Sequence, residues 1–233
     1  MNAQPQAKQK VMLITGASGQ LGRAVAHTFQ DQGARLILLD RQAGALADGE
    51  RVLNVMVDLA DREQVVQRIG EAVARMGGLH TVCHIAGGFR MGEAVHETSA
   101  ATWDFLMDLN ARSLLHVAAA TVPLLLKQGG GQIVTVGAGA AARGGAQMGA
   151  YSAAKSALIR LTESMSAELK DQGIRVNCVL PSIIDTPDNR QSMPDADFGR
   201  WVAPQALADV IAFLASDAAR AIHGAAIPVS GRV

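Results

Sequence analysis

The sequence predicts an α/β fold: a doubly wound parallel sheet with helices on both faces, built as a single domain. Three observations predict it. Short apolar runs alternate with amphipathic stretches of helical length from residue 11 onward. The runs are continuously apolar, as strands covered on both faces must be, and do not alternate apolar with polar. A glycine-punctuated turn also joins the first run to the first amphipathic stretch, as in mononucleotide-binding βαβ units.

Each element follows in order. VMLIT at 11–15 reads as a buried strand ending in a Gly-rich turn. Residues 21–32 place Leu21, Val25 and Phe29 on one helical face, and Gly33 is a natural stop before the strand ARLILLD. RVLNVMVDL is the next strand, Arg62–Met76 an amphipathic helix, and LHTVCHIAG a strand. Residues 102–127 read as one long helix with a kink expected at Pro123. QIVTVGA is a strand, a Gly/Ala stretch runs through Gly149, a helix spans about 151–172, and IRVNCVLP is a further strand. Segment 185–201 (DTPDNRQSMPDADFGRW) is polar, holds two prolines and is too long for an ordinary connection, so it reads as a lid over a site. A helix at 204–216 and a short strand in AAIPVSG complete the sheet. Residues 1–10 read as a flexible tail and 11–233 as the domain; there is no internal repeat.

Bulk properties narrow the function classes. Of 233 residues, 49% are hydrophobic and only 3% aromatic, which suits closely packed helices and strands. Basic and acidic residues balance at 21 each, so no electrostatic footprint for nucleic acid or an anionic membrane exists and a small-molecule substrate is expected. Cys83 and Cys178 each sit in an apolar run and read as buried thiols, and no Cys/His cluster offers a metal site. The N-terminal MNAQPQAKQK lacks a signal-peptide core, and no apolar run approaches the length of a membrane span. A cytoplasmic protein is expected.

The turn TGASGQLG places Gly16, Gly19 and Gly22 between a strand and a helix. Glycines there allow the tight turn and a close approach of backbone to a pyrophosphate, while the unpaired N–H groups and positive dipole end of the helix hold its negative charge, with Ser18, Gln20 and Leu21 as the accompanying cofactor-binding candidates. Asp40 ends the second strand, 18 residues after Gly22, where a carboxylate accepts hydrogen bonds from the adenine ribose. That favours NAD, with NADP possible because Arg41 beside it can pair with a 2′-phosphate. Asp58, followed by Leu59, either borders the adenine or is a surface aspartate.

The chain's one tyrosine lies in YSAAK, four residues before Lys155 and on the same helical face. A phenol titrates near pH 10, and a nearby ammonium is expected to lower that value, making Tyr151 a usable general acid while Lys155 anchors the nicotinamide ribose.

TGASGQLG, Asp40, the AGG of Ala86, Gly87 and Gly88, Asn110, YSAAK and PSIIDT together resemble the short-chain dehydrogenase/reductase family along nearly the whole chain. That resemblance implies a Rossmann-type fold and NAD(P)-dependent hydride transfer. It implies that Asn110 distorts its helix to hold a water leading from Lys155, and that Pro181, Ile184 and Thr186 meet the nicotinamide carboxamide. It also implies a homodimer or homotetramer through helical faces at 111–126 and 151–169. Within the family, the lid text with the CHIAGG and TVGAG segments is similar to the quinonoid dihydropteridine reductases and their bacterial relatives.

Departures matter too. The family's substrate-polarising serine, 13 residues before the tyrosine, is Ala138 here. Losing one such donor costs about 10²- to 10³-fold in turnover. Ser152 is a poor substitute, pointing about 100° away from Tyr151 on the helix. The family's Asn-Asn-Ala-Gly is His84-Ile85-Ala86-Gly87, and His84 reads as a strand residue in preference to a proton shuttle. The expected function is reduction of a small planar substrate such as a quinonoid dihydropterin, with Tyr151 as proton donor. The alternatives are a carbonyl or 3-oxoacyl reductase of the same family, and a non-catalytic NAD-sensing protein.

Overall fold

The computed structural model describes residues 10–42, 44 and 46–233; all but the last residue of the predicted N-terminal tail lies outside them. Seven strands are β1 (Val11–Thr15), β2 (Arg35–Asp40), β3 (Val52–Met56), β4 (Thr81–His84), β5 (Gly131–Val136), β6 (Ile174–Pro181) and β7 (Ala226–Val229). They form one sheet in the order β3-β2-β1-β4-β5-β6-β7, and every pairing is parallel. The order reverses between β1 and β4, and the crevice outside the carboxyl ends of the strands at such a switch point is where α/β sheets bind ligands.

Among the described residues the α-helices are α1 (Gln20–Asp31), α2 (Arg62–Met76), α3 (Ala100–Met107), α4 (Ser113–Gln128), α5 (Gly149–Leu169), α6 (Pro187–Ser192) and α7 (Pro204–Ala215). The continuous apolar runs are explained by two cores, one on each face. Val11 and Leu13 of β1, with Ile37 and Leu39 of β2, face the side covered by Val65 and Ile69 of α2, Val117 of α4 and Leu169 of α5. Their neighbours Met12, Ile14, Leu36 and Leu38 face Val25 and Phe29 of α1 and Leu207 and Ile211 of α7. Period-2 side-chain alternation buries both sets.

The long helix differs from expectation. It runs for 29 residues from Ala100 to Gln128, and Pro123 sits inside α4 without ending it. Its irregularity lies earlier, where Asp108–Arg112 form a π turn around Asn110. The expectation that no run reaches membrane-span length is also corrected. Asp104, Asp108 and Arg112 interrupt the apolar letters, yet this helix as a whole is long and apolar enough to cross a bilayer; here it packs on α2 and α5. The predicted lid is not plain loop. It contains α6 and a 3-10 turn at Phe198–Arg200, and an isolated parallel bridge between Ile184 and Val202 ties its ends together.

Candidate active site

The glycine turn is dictated by contact. Gly16 has φ +67°, and a Cβ there would stand 2.9 Å from the Ala86 backbone. At Gly22 a Cβ would collide with the Gly16 carbonyl. Gly19 caps α1 without any side-chain bond, and the first helical bond runs from Arg23 N–H to the Gly19 carbonyl at 2.9 Å. The N–H groups of Gln20, Leu21 and Gly22 therefore head an uncapped helix end, which is an anion site. Ser18 N–H donates to Asp40 Oδ2 at 3.0 Å, so the loop is pinned to the end of β2. Asp40 Oδ1 accepts from the backbone N–H groups of Arg41 (2.7 Å) and Gln42 (3.3 Å). The Ser18 hydroxyl is buried and has no hydrogen-bond partner among the described residues. An orphaned donor in a glycine cradle, next to a carboxylate at ribose distance in sequence, fits a dinucleotide.

Asp58 and Leu59 follow β3, the strand beside β2. The Asp58 carboxylate caps Ala60 N–H at 3.0 Å, and the Leu59 carbonyl accepts from His116 Nδ1 at 2.8 Å.

The second half of the site gathers around Gly87. A Cβ at Gly87 would lie 2.9 Å from both Asn110 Oδ1 and Lys155 Nζ, so any larger residue would have to displace those side chains. Asn110, fully buried in its π turn, grips one residue from both sides: Oδ1 accepts from Gly88 N–H and Nδ2 donates to the Gly88 carbonyl, each at 3.0 Å. Lys155 is 5% exposed and donates from Nζ to the Val136 carbonyl at the end of β5, at 2.9 Å. Tyr151, one turn earlier on α5, packs against Leu106, Ala150 and Ala154, and its ring meets Phe89 edge-on at 4.8 Å.

Burial governs the titration of the pair. It pushes the Tyr151 phenol up to about 12 and the Lys155 ammonium down to about 8. The expectation that Lys155 lowers the phenol's pKa is thus overturned for the free chain: desolvation of the phenolate is the effect that acts on Tyr151. A phenol at that value is fully protonated at neutral pH, the state a proton donor needs.

Pro181, Ile184 and Thr186 stand at the carboxyl end of β6, on the edge of the sheet that also carries Gly16 and Gly87. Thr186 Oγ1 is engaged in capping α6, accepting from Asn189 N–H at 3.2 Å, and the Ile184 carbonyl accepts from Asn189 Nδ2 at 2.8 Å. Ala138, 6% exposed, leads into a 3-10 turn (Gly139–Ala141), which Ser156 Oγ of α5 holds by donating to the Ala141 carbonyl at 3.0 Å. Ser152 Oγ is buried and has no hydrogen-bond partner among the described residues.

Three residues were not anticipated from sequence. Thr15 Oγ1 accepts from Ile85 N–H (3.1 Å) and Ala86 N–H (3.2 Å), fixing the loop after β4. Ser113 sits beneath the π turn. Phe89 is 53% exposed beside Tyr151. The available signals were a polar residue closing the apolar run VMLIT, a serine three residues after Asn110, and one of only five phenylalanines placed directly after AGG.

A parallel sheet with a glycine turn at its switch point, and a Tyr–Lys helix beside it, defines a dinucleotide-binding α/β protein. A family model described as enoyl-(acyl carrier protein) reductase matches residues 16–231, and the chain belongs to the short-chain dehydrogenase/reductase family. It is 32% identical over 238 residues to cis-4-hydroxycyclohexanecarboxylate dehydrogenase of Sinomonas cyclohexanicum, with 96% of each chain covered. It is 29% identical over 238 residues to a 3-oxoacyl-(acyl-carrier-protein) reductase of Thermotoga maritima, covering 95% of this chain and 96% of the relative. Among solved structures, 3-ketoacyl-(acyl-carrier-protein) reductase from Brucella melitensis complexed with NADH is similar with TM-score 0.87 at 27% identity, over 96% of this chain and 98% of that one. The protein is an NAD(P)-dependent oxidoreductase.

Proposed function

We propose that the chain reduces a small planar ring substrate with NADH, a quinonoid dihydropterin being the first candidate, and that Tyr151 donates the proton. The observation that carries this reading is Ala138: a methyl stands where the family places its substrate-polarising serine, which leaves Tyr151 without that second donor, so a substrate driven by its own aromatisation is favoured over a simple ketone. Bound NADH supplies the hydride. Gly16, Ser18, Gly19, Gln20, Leu21 and Gly22 would hold its pyrophosphate, Asp40 its adenine ribose, Asp58 and Leu59 its adenine. Ala86, Gly87, Gly88 and Lys155 would line its nicotinamide half, with Pro181, Ile184 and Thr186 over the carboxamide. NAD is preferred to NADP because both Asp40 oxygens are already fixed facing the turn by backbone donors, where a 2′-phosphate would meet their charge. Lys155 would keep the proton path supplied, and Asn110 would hold the strand-end loop against it. Segment 185–201 would close over the substrate. The reading includes a cytoplasmic protein and a homodimer or homotetramer through α4 and α5, which share a groove lined by Ala111, Leu115, Ala157 and Leu161.

A second reading, interconversion of a cyclic secondary alcohol and its ketone, is favoured by the named activity of the Sinomonas relative. NADH oxidation measured with quinonoid dihydropterin and with 4-oxocyclohexanecarboxylate, each repeated with Tyr151→Phe, decides between them. Turnover of the pterin, lost in the variant, is the expected result. Turnover of the ring ketone alone selects the second reading, and turnover of either that survives Tyr151→Phe overturns the role of the phenol.

A further inference from the structure

Three buried polar residues outside the Tyr–Lys pair, Thr15, His84 and Ser113, form a chain whose every proton can be assigned. Thr15 Oγ1, at the end of β1, has two lone pairs and one proton. Both lone pairs are engaged by Ile85 and Ala86 N–H. Its proton must therefore go to His84 Nδ1, 3.1 Å away. His84 ends β4 and is 1% exposed; with Nδ1 accepting, the neutral ring carries its proton on Nε2. That nitrogen stands 3.2 Å from Ser113 Oγ, which can only accept there, because its own proton is donated to the Leu109 carbonyl at 2.7 Å. Leu109 lies in the π turn, directly before Asn110.

We infer that His84, locked as its Nε2–H tautomer between Thr15 and Ser113, is a positioning residue that holds the π turn and thereby aims Asn110 at Gly88 and Lys155. The physical case is one of register. A π turn is rare and sits in an otherwise regular helix, so something must favour it over the α-helical alternative. A serine bonding back to the carbonyl four residues earlier deforms a helix, and here that serine is itself anchored to the sheet through His84. The chain thus connects the strand end that forms the glycine turn (Thr15), the loop that meets Lys155 (Ile85 to Gly88) and the turn that carries Asn110. An imidazole spans this gap as a directional relay of bonds with no free valence. It moves no net proton, since the chain starts at a Thr15 hydroxyl that beyond His84 meets only amide N–H groups and ends on the Leu109 carbonyl, and neither end exchanges a proton.

The inference rests on the proposed roles of Asn110 and Lys155, and its test separates the two. Imidazole 15N chemical shifts of the uniformly labelled protein at neutral pH report the tautomer directly, with His84→Asn used for assignment. A protonated Nε2 and bare Nδ1 are expected; the opposite tautomer overturns the assignment. Hydrogen exchange of Gly88 N–H is then compared in the wild type and Ser113→Ala. Loss of the anchor is expected to speed exchange there by about tenfold or more while amides of β2 keep their rates; unchanged exchange at Gly88 overturns the clamp. Finally, kcat for NADH oxidation with quinonoid dihydropterin or 4-oxocyclohexanecarboxylate, whichever is turned over, is measured in Ser113→Ala, Asn110→Ala and the double variant. If Ser113 acts through Asn110, its effect vanishes in the Asn110→Ala background. Additive effects overturn the inference, and an Asn110→Ala variant with full activity overturns instead the role given to Asn110.

Discussion

His84 makes the stability of this protein depend on pH between about 6.5 and 3. Burial, with a smaller contribution from the Lys155 charge, depresses its pKa from 6.5 to about 3. The unfolded chain therefore binds a proton at this residue between those values and the folded chain does not. A depressed folded pKa means that stability is complete above the unfolded value and is lost as pH falls from about 6.5 toward 3. At about 1.4 kcal/mol per unit, the whole shift corresponds to about 5 kcal/mol. Integrating only from pH 7 to pH 5, where the unfolded imidazole becomes almost fully protonated, gives about 2 kcal/mol. Urea unfolding of wild type and His84→Asn at both pH values measures it. The variant is less stable at pH 7, because Thr15 and Ser113 lose their partner, but it should lose about 2 kcal/mol less than wild type on going to pH 5. Subtracting the variant removes every other titrating group. Equal losses in the two proteins would refute the claim that His84 is held neutral by its surroundings.

Four further outcomes follow from the same geometry. Gly22→Ala should destabilise by about 1–3 kcal/mol and abolish NADH binding in calorimetry, because the new methyl meets the Gly16 carbonyl, whereas Gly49→Ala, with open space around it, should change neither. Lys155→Met should raise stability at pH 7 by about 2 kcal/mol in urea melts while NADH affinity falls, since a buried ammonium at about 8 is costly where it stands; relative to the variant, the wild type should gain stability as pH rises from about 8 toward 10, because its unfolded chain holds that proton longer. Asp40→Ser should move the NADPH-to-NADH ratio of kcat/KM upward by about tenfold or more, as the charge facing a 2′-phosphate is removed. Ala138→Ser should raise turnover of 4-oxocyclohexanecarboxylate by about tenfold or more, and no gain would show that the missing hydroxyl is not what limits ketone reduction.

The sheet was legible because its signals are local and redundant. Leu13 and Ile14 are adjacent yet face opposite cores, so a strand covered on both sides leaves an unbroken apolar run, which its short length and the glycines that follow mark as a strand. α2 was readable to both ends because Asp61 caps it, accepting from Gln64 N–H, and Gly77 ends it in the left-handed region. The long helix was less legible. Pro123 carries a strong sequence signal for disruption, but near the end of α4 one lost N–H leaves the helix intact, whereas the actual break at Asn110 depends on Ser113 and His84, residues that reach it from 3 positions along the helix and from another strand. The lid's short helix was hidden because Thr186 and Pro187, which start it, lie in a segment whose polarity reads as loop.

At the site, spacing identified residues but not the sign of their titration. Four positions on a helix bring Tyr151 and Lys155 to one face whatever surrounds them, so their pairing could be read directly. Their pKa values depend instead on how much water the fold leaves them, a property of Leu106, Ala154, Val136 and the sheet behind. Burial moves both groups toward their neutral forms, the phenol up and the ammonium down, so the attraction expected between phenolate and ammonium is opposed by the cost of having either charge there. The same reasoning explains why His84 looked unremarkable in sequence. A histidine in an apolar strand is ambiguous until both its nitrogens are placed, and only the positions of Thr15 and Ser113, 69 residues before it and 29 after it, determine which nitrogen carries the proton.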